Sequence, residues 1–478
     1  MIFNREEMMD KIYGCWIGKS IGGTLGAPFE MKKELLDISG FHSEPGKPLP
    51  NDDLDLQLIW LKALEAYGPL GVNERILGEY WINFIPPNWN EYGIGKANMK
   101  AGIPPPLSGD YNNPWKHSNG AWIRSEIWAC CTPGRPDLVT KYAYYDACVD
   151  HGTGEGTYAE IFTATVEAAA FVIKDAEKLI DIGLSYLPKD CRVTRSIRIV
   201  LDGYHSGIDW REVRQQVLDD SEDLGWFQAP ANLAFVVIGW LYGSGDFKKS
   251  LIIAVNCGDD TDCTGATIGS ILGIIGGFKS IPEDWTAYVG DEIISIAIDR
   301  GSIEVPTSCT DLARRTLAMM EQLQLAYETG IRVSDEPSDL SDSTPEALYA
   351  GDAHKDWLSQ MDGSIVYDFI HTRASVKYIS GIDLSPWGNG EIEMKMANRM
   401  PSQQHYSVSY ILPDGFELVD GPKHVVVMTP SGCTAGEETI HVTVKAGEEV
   451  EAVNRGIIEI IAVGRPTAML IPILFLGK

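Results

Sequence analysis

Apolar residues recur every three or four positions over much of residues 1–332, which is the spacing of one face of an α-helix. The pattern predicts helices over residues 12–23, 54–66, 158–173, 230–242 and 312–327. Small residues inside such segments, as at 167–170 and 265–269, let helix axes approach closely. No alternation of strands and helices indicates a parallel sheet. We therefore expect a mainly α fold here, a compact multi-helix bundle forming an all-α domain.

The pattern changes after residue 332. Residues 333–347 are acidic and rich in Ser and Pro, which is typical of a linker. Residues 348–478 contain short runs with alternating polarity, at 376–382, 391–396, 406–412, 424–428, 439–444, 457–463 and 468–475. These runs predict a smaller all-β sandwich domain. Its role in packing, dimerisation or ligand binding is left open.

Composition narrows the choice of partners. The 478-residue chain has a formal charge of −28, which argues against nucleic acid and against an anionic membrane surface. The N-terminus lacks a signal peptide pattern, and no segment is a clean transmembrane span. Nine cysteines, an odd number without metal-ligand spacing, favour reduced thiols and a cytoplasmic protein. Homo-oligomer formation stays open.

Two acidic clusters carry the strongest chemical signal. Residues 51–55 read Asn-Asp-Asp-Leu-Asp and residues 259–262 read Asp-Asp-Thr-Asp, and each cluster precedes an apolar helical run. Carboxylates this close repel one another, so a site that joined both clusters would need cations. Oxygen ligands favour Mg²⁺, with Mn²⁺ or Ca²⁺ as alternatives, over zinc. The alternative interpretation is that the clusters cap helices, and capping is compatible with metal binding.

Glu30 ends a glycine-dense segment, residues 14–30, that has neither the dinucleotide-binding order of glycines nor a Walker lysine. A carboxylate that follows Ala-Pro-Phe could be partly desolvated, with a raised pKa suited to proton transfer. The alternative is an ordinary loop glutamate.

Two further segments have the composition of binding loops. Residues 89–115 are rich in Gly, Pro, Asn and aromatic residues, including Tyr92, and predict either a sugar-binding loop or a surface loop. Residues 151–156 begin with His151 and contain three glycines that would let backbone amides approach a phosphate or sugar oxygen. His151 is either structural or a ligand contact, and Arg124 either pairs with acidic residues or holds a substrate anion.

Taken together, residues 14–30, 51–57, 118–124 and 256–269 resemble, in order, four motifs of the ADP-ribosylglycohydrolase family, which includes the dinitrogenase reductase-activating glycohydrolase. The family motifs are G-D-x-x-G-x-P-x-E, T-D-D-T, G-N-G-x-x-M-R and N-x-G-G-D-T-D-T. The resemblance covers roughly residues 8–330, and His151 lies near a family histidine.

The resemblance implies an all-α fold with two Mg²⁺ ions and assigns the site residues. Asp262 would bridge the two ions. The implied metal ligands are Asn51, Asp52, Asp53, Asp260, Asp262 and Cys263. The implied catalytic residues are Glu30, Asp53 and Asp262, and the implied substrate-binding residues are Asn119, Arg124 and His151. Tyr92, from the aromatic-rich loop, is a further candidate substrate contact.

Several positions depart from the family pattern. Asn51 and Cys263 stand where metal-binding threonines are usual, and a thiol is a poor ligand for Mg²⁺. Gly23 replaces the aspartate of the first motif, Leu54 the second threonine of the T-D-D-T motif, and Asp259 a glycine. One metal site is therefore expected to be weakened or altered.

The resemblance implies a metal-dependent hydrolase that cleaves the N- or O-glycosidic bond of ADP-ribosyl conjugates. Its partner would be a small-molecule glycoside or an ADP-ribosylated protein. The first alternative is a glycoside hydrolase of the same fold that acts on a different sugar. The second is a non-catalytic ligand-binding member, against which the presence of Asp52, Asp53, Asp260 and Asp262 argues.

Overall fold

The computed structural model describes residues 1–341, 343–359, 363–419, 421, 423–433 and 436–478. The chain divides into two compact units, Met1–Met99 with Ser108–Gln360 and Lys100–Leu107 with Met361–Lys478. The expected linker at 333–347 falls in the first unit, and its residue 342 lies outside the described residues. The domain boundaries inferred from the sequence stay a prediction.

Helices dominate residues 1–359. Among the described residues they are α1 (Arg5–Gly26), α2 (Asp52–Tyr67), α3 (Glu74–Phe84), α4 (Asn90–Ala101), α5 (Leu107–Asp110), α6 (Glu126–Cys131), α7 (Pro136–His151), α8 (Glu155–Ala170), α9 (Ala176–Ser185), α10 (Arg192–His205), α11 (Trp210–Ser221), α12 (Ala229–Gly243), α13 (Phe247–Asn256), α14 (Thr261–Gly276), α15 (Glu283–Val289), α16 (Cys309–Ala326) and α17 (Asp352–Ser359). The helices predicted from periodicity correspond to α1, α2, α8, α12 and α16, which confirms them. None of the described helices is long and apolar enough to cross a membrane.

Helices α1 and α14 approach each other through their glycines. A β-carbon added at Gly18 would overlap the carbonyl oxygen of Gly269, and one added at Gly22 would overlap that of Gly265. The pairing runs in opposite directions along the two helices, so the end of α1 lies beside the start of α14. The close approach expected from small residues is confirmed, and it determines which chain segments meet at the candidate site.

The expected long loop at 89–115 is wrong, because residues 90–101 form α4. The glycines of this segment are typical of a loop, but in the structure Gly95 allows α4 to pack closely against α7. A β-carbon at Gly95 would lie 3.1 Å from the Cβ atom of Asp150 on α7. The N-terminal part of this helix holds Tyr92 in a buried position.

The expectation of a strictly all-α segment is also wrong in one detail. Strands β1 (Ile2–Asn4) and β2 (Arg332–Ser334) pair in parallel. Three residue pairs connect the two ends of the helical segment, and Phe3, in the middle pair, is buried. Pairing satisfies backbone groups that neither end could satisfy alone.

The remaining strands belong to the second unit and form a β-sandwich. They are β3 (Ile365–Asp368), β4 (Thr372–Tyr378), β5 (Asp383–Leu384), β6 (Asn389–Asn398), β7 (Gln404–Ile411), β8 (Glu417–Leu418), β9 (Lys423–Met428), β10 (Glu437–Lys445), β11 (Val453–Ala462) and β12 (Ala468–Gly477). Two five-stranded sheets, ordered β3-β4-β6-β10-β8 and β5-β12-β11-β7-β9, share one apolar core. The seven predicted runs overlap the seven longest strands from β4 to β12, and the short β3, β5 and β8 were not predicted.

Candidate metal centre

The end of α1 and the start of α14 form one side of the candidate site. The Thr261 hydroxyl donates a hydrogen bond of 2.8 Å to the carbonyl oxygen of Gly26, the last residue of α1. Beyond α1, the Met31 amide donates to the carbonyl oxygen of Asp259 at 2.9 Å, and the Asp259 amide donates to that of residue 32 at 2.8 Å. These bonds hold Glu30 beside the start of α14.

The start of α2 forms the other side. Asn51 is the N-cap residue of α2, and its Oδ1 atom accepts a hydrogen bond of 2.8 Å from the Asp53 amide. The Cys263 thiol donates to Asp53 Oδ1 at 3.4 Å. Two acidic clusters that are distant in sequence therefore meet in one site, because α2 and α14 begin at the same place.

The potential ligand atoms form two overlapping sets. In the outer set, one oxygen each of Glu30, Asp260 and Asp262 lie within 4.8 Å of one another. In the inner set, oxygens of Asp53 and Asp262 and the Cys263 thiol lie within the same distance. Asp262 belongs to both sets, and the inner set is entirely buried whereas Glu30 is exposed. This arrangement is an acidic cluster that could bind a metal ion.

Helix capping accounts for only one of the two clusters. Asn51 caps α2, but Asp260, at the N-cap position of α14, caps no amide with its side chain. Instead, Asp260 Oδ2 accepts a hydrogen bond of 2.7 Å from Asn119 Nδ2. The orientation of the Asp260 carboxylate is thus explained by the site and not by the helix.

Within the two ligand sets, the buried oxygens Asp53 Oδ2 and Asp262 Oδ1 accept no hydrogen bond from the described residues. Both residues are less than a tenth exposed, at 0% and 6%. An unsatisfied buried acceptor costs about 1–3 kcal/mol, and more if it is charged. A cation beside each oxygen would remove that cost, and a divalent ion fits Asp262, which belongs to the all-oxygen outer set.

Burial and mutual repulsion raise the carboxylate pKa values. Partial burial, then the charges of Asp262 and Asp52, raise the pKa of Glu30 to about 7, although Glu30 is the most exposed member of the outer set. Burial and the Asp262 charge likewise raise the pKa of Asp52 to about 7. Burial is also the main cause that holds the pKa values of Asp53 and Asp260 well above their usual range. A bound cation would oppose all of these shifts.

Asn119 and Tyr92, two of the predicted substrate contacts, touch the carboxylates. Besides donating to Asp260, Asn119 accepts a hydrogen bond of 3.0 Å from the Trp122 indole. The Tyr92 hydroxyl donates to Asp52 Oδ2 at 3.3 Å. Both residues are buried and position acidic side chains. Their contact with a substrate remains a prediction.

Arg124 and His151, the other two predicted substrate contacts, are fully buried and have internal partners. The Arg124 guanidinium donates at 2.8 Å both to Asp146 and to Asp150. His151 Nδ1 lies 2.9 Å from Asp150 Oδ1, and His151 Nε2 lies 3.3 Å from the Ser118 hydroxyl. For Arg124, pairing with acidic residues was one of the two open alternatives, and the structure contains that pairing.

Asp259 belongs to neither ligand set. Its backbone has φ of 69°, a left-handed conformation that aspartate tolerates better than most residues. Asp259 Oδ2 accepts a hydrogen bond of 3.2 Å from Asn232, which also accepts one from the Asp260 amide. Sequence reasoning missed Asn232, although a single asparagine inside the apolar α12 was a usable signal.

Sequence reasoning also missed a buried cation, Lys19, beside the inner set. Its ammonium lies 2.7 Å from Glu126 Oε1 and 4.0 Å from Asp53 Oδ2. Burial alone would lower the pKa of Lys19, but the charges of Glu126 and Asp53 raise it above its ordinary value. A lysine within the glycine-rich, apolar residues 14–26 was the signal, since lysine is almost never fully buried without a partner.

Comparisons with known proteins identify related chains. Residues 4–325 match the family described as ADP-ribosylglycohydrolase. A protein of Archaeoglobus fulgidus, described as "Uncharacterized protein", is 25% identical over 304 residues, which are 59% of this chain and 93% of that protein. The solved structure "ADP-ribosylglycohydrolase-related protein complex" has 19% identity and a TM-score of 0.46, and the match covers 66% of this chain and 99% of that chain. This structural likeness is too distant to support an argument.

Proposed function

The chain belongs to the ADP-ribosylglycohydrolase family, and on that basis we propose that it is a metal-dependent hydrolase that cleaves the N- or O-glycosidic bond of an ADP-ribosyl conjugate. Family membership supports a glycosyl hydrolase-like function, and the family acts on ADP-ribosylated substrates. The observation that carries the proposal is the meeting of two acidic clusters around buried carboxylate oxygens that lack hydrogen-bond donors. The proposed substrate is an ADP-ribosylated protein or a small ADP-ribosyl conjugate.

We assign the cation to Asp260 and Asp262, the outer-set carboxylates at the start of α14. The outer set contains only oxygen ligands, which Mg²⁺ prefers, with Mn²⁺ or Ca²⁺ as alternatives. The inner set is less suitable, because Cys263 offers a thiol and the Asn51 carbonyl oxygen already accepts a hydrogen bond from the Asp53 amide. When bound, a divalent ion supplies Lewis-acid activation of water and orients the ribose hydroxyls.

Glu30 is suited to accept the proton of the attacking water. It is exposed at the edge of the centre, where it can reach water, and in the metal-free protein its pKa is raised to about 7. Asp53 and Asp262 would stabilise the positive charge that develops at the anomeric carbon in an oxocarbenium-like transition state. Asn119 and Tyr92 would keep Asp260 and Asp52 in the orientation that this requires.

An aromatic residue and a lysine lie at the edge of the centre and fit part of an ADP-ribosyl group. Trp226 is 51% exposed, and the Lys33 ammonium lies 4.3 Å from the centroid of its ring. The Lys33 ammonium also lies 3.9 Å from Oδ1 of Asp259, which precedes Asp260 in the chain. A flat ring suits a sugar or base face, and the ammonium suits a phosphate.

A second candidate is a hydrolase of the same fold that acts on another glycoside. The thiol of Cys263 and the engaged carbonyl of Asn51 favour it, because they change the positions where the family usually has threonine ligands. A non-catalytic ligand-binding protein is the third candidate, against which the converging carboxylates argue.

Release assays on metal-stripped protein distinguish the three candidates. The substrates are ADP-ribosyl-arginine, ADP-ribosyl-serine and aryl glycosides, with Mg²⁺, Mn²⁺ or Ca²⁺ added back. We expect turnover of an ADP-ribosyl conjugate that depends on the added ion. Glu30→Gln should lower kcat by roughly 10²–10⁴-fold, as expected for loss of a general base. Asp262→Ala should abolish both turnover and ion dependence.

The matched control is Glu44→Gln, which neutralises an exposed carboxylate in the segment between Glu30 and α2 and should leave turnover unchanged. Turnover of aryl glycosides alone would favour the second candidate. Metal binding with no turnover of any substrate would favour the third. Turnover that survives complete chelation would contradict the proposed metal dependence.

A further inference from the structure

The inner set lies beside a cation that belongs to the protein itself. The Lys19 ammonium is fully buried and lies 4.0 Å from Asp53 Oδ2, one of the two centre oxygens that accept no hydrogen bond. We propose that Lys19 is a fixed cation of the centre, which excludes a divalent ion from Asp53 and leaves one divalent-ion site per chain at the outer set. The inference rests on the proposed metal-dependent function and goes beyond it in the number and position of the ions.

The contacts of Lys19 fix the position of its ammonium group. An ammonium has three N–H donors, and two of them are used at 2.7 Å by Glu126 Oε1 and the carbonyl oxygen of Ile123. The third is left for the Asp53 side. Lys19 therefore has no other described acceptor toward which it could turn without losing a buried hydrogen bond.

The partner of Lys19 is fixed as well. Glu126 Oε2 accepts a hydrogen bond of 2.8 Å from Gln57 Nε2, and Gln57 Oε1 accepts one of 2.7 Å from the Ile127 amide. Gln57 Nε2 also donates to the Asp53 carbonyl oxygen at 2.9 Å. The network thus ties Lys19 and Glu126 to the same first turn of α2 that carries Asp53.

A divalent ion on Asp53 Oδ2 would lie within a few ångströms of this ammonium in a buried site. Like charges at that distance repel strongly where water cannot screen them. The Glu126 carboxylate could offset this repulsion only in part, because it already accepts a hydrogen bond from Lys19. The Cys263 thiol adds little, since sulfur is a poor ligand for Mg²⁺.

The outer set forms no ion pair with this ammonium among the described residues. Within the described residues, the ion pairs of Lys19 to 4.0 Å are with Asp53 and Glu126, and none is with Glu30, Asp260 or Asp262. The outer set also consists of carboxylate oxygens and reaches the surface at Glu30. It therefore has both the ligands and the access that a divalent ion needs.

Ion counting on the full chain tests the proposal directly. Metal-stripped protein is equilibrated with Mn²⁺, the bound ion is counted by elemental analysis after equilibrium dialysis, and its electron paramagnetic resonance spectrum is recorded. We expect one Mn²⁺ per chain with the uncoupled six-line spectrum of a mononuclear site. Two ions per chain with a spin-coupled spectrum would overturn the inference while leaving the proposed function intact.

The second arm removes the cation together with its counter-charge. In the double variant Lys19→Met with Glu126→Gln, the buried pair becomes neutral and the bond from Gln57 can persist. We expect this variant to bind a second Mn²⁺ at least tenfold more tightly than the wild type does. Lys11→Met is the matched control, since Lys11 lies two turns earlier on α1 and donates to the end of α14, at Ile274 and Ile275. It should leave the ion count unchanged.

Each outcome has a separate meaning. A folded double variant whose second ion binds no more tightly than in the wild type would overturn the role of Lys19. If that variant does not fold, the wild-type ion count and spectrum still decide the number of sites. Wild-type protein that binds no Mn²⁺ at all would refute the metal-dependent function itself, and the inference with it.

Discussion

Gly23 and Asn51, two positions at which the chain departs from the family pattern, are in contact. A β-carbon added at Gly23 would overlap Asn51 Nδ2 and would lie 3.0 Å from Asn51 Cγ. The asparagine therefore occupies the space into which a side chain at position 23 would extend. The absence of a side chain at one position makes room for the larger cap residue at the other.

This contact predicts coupled effects of substitution. Gly23→Ala should displace the Asn51 side chain and weaken the cap of α2, lowering the free energy of unfolding by about 1 kcal/mol. In an Asn51→Ser background, where the shorter side chain still caps α2, Gly23→Ala should lower the free energy of unfolding clearly less than it does in the wild type. Urea unfolding of the two single variants and the double variant gives the coupling energy. Strictly additive effects would contradict the contact.

At the scale of elements, the glycines of α1 and α14 determine the geometry of the centre. Large side chains at Gly18 or Gly22 would meet backbone atoms of α14, which cannot move aside as a side chain can. The same packing brings Glu30 to Asp260 and Asp262, since one lies just after α1 and the others at the start of α14. The separation of α1 and α14 and the geometry of the acidic cluster are therefore linked.

Gly18→Ala should destabilise the protein by about 1–3 kcal/mol, the usual cost of overpacking, although alanine favours helix formation. It should also weaken metal binding, because the start of α14 would move away from Glu30. Urea unfolding and Mn²⁺ titration measure the two effects.

Gly183→Ala on α9 is the control for this substitution. A β-carbon there would meet only side-chain atoms, at 2.7 Å from Val166 and 2.8 Å from Phe162, which can adjust. It should cost less stability and leave metal affinity unchanged. Equal loss of metal affinity in both glycine variants would show that helix separation does not control the centre.

At the scale of the whole molecule, we expect the centre to make the free energy of unfolding depend on pH and on metal. Burial and neighbouring charges raise the pKa values of Glu30 and Asp52 from 4.5 and 3.8 to about 7 in the folded, metal-free protein. Between these values the folded state binds more protons than the unfolded state. The free energy of unfolding of the metal-free protein should therefore be greatest at the acidic end and fall as pH rises toward 7.

Metal should reverse this trend. Binding requires deprotonated carboxylates, so the increase in Tm on adding Mg²⁺ or Mn²⁺ should be small near pH 5 and larger near pH 8. At an ion concentration about 100 times Kd, the expected stabilisation is about 2.7 kcal/mol. Thermal unfolding with and without chelator measures it, and Asp262→Ala should remove the increase. An increase that does not change with pH would contradict the raised pKa values.

In the sandwich unit, the alternation of apolar and polar residues predicts the long strands but not the shortest ones. Alternating runs located the long strands. Every second residue along β6 and β11 is buried, and this burial corresponds to an alternation of apolar and polar residues in the sequence. The two-residue β5 and β8 are too short to carry such a pattern. Their pairing with β12 and β10 follows from the neighbours that the fold supplies.

The sequence by itself determined the helical class of the first unit, most strand positions, the family motifs and the two acidic clusters, because periodicity and local order are properties of adjacent residues. It did not predict helix α4, because the glycines of that segment are typical of a loop. Only the tertiary structure decided that Asp260 does not cap its helix, that Arg124 and His151 are internally paired, and that Lys19 lies beside Asp53. Those outcomes depend on how closely helices that are distant in sequence approach one another, and that distance is set by packing.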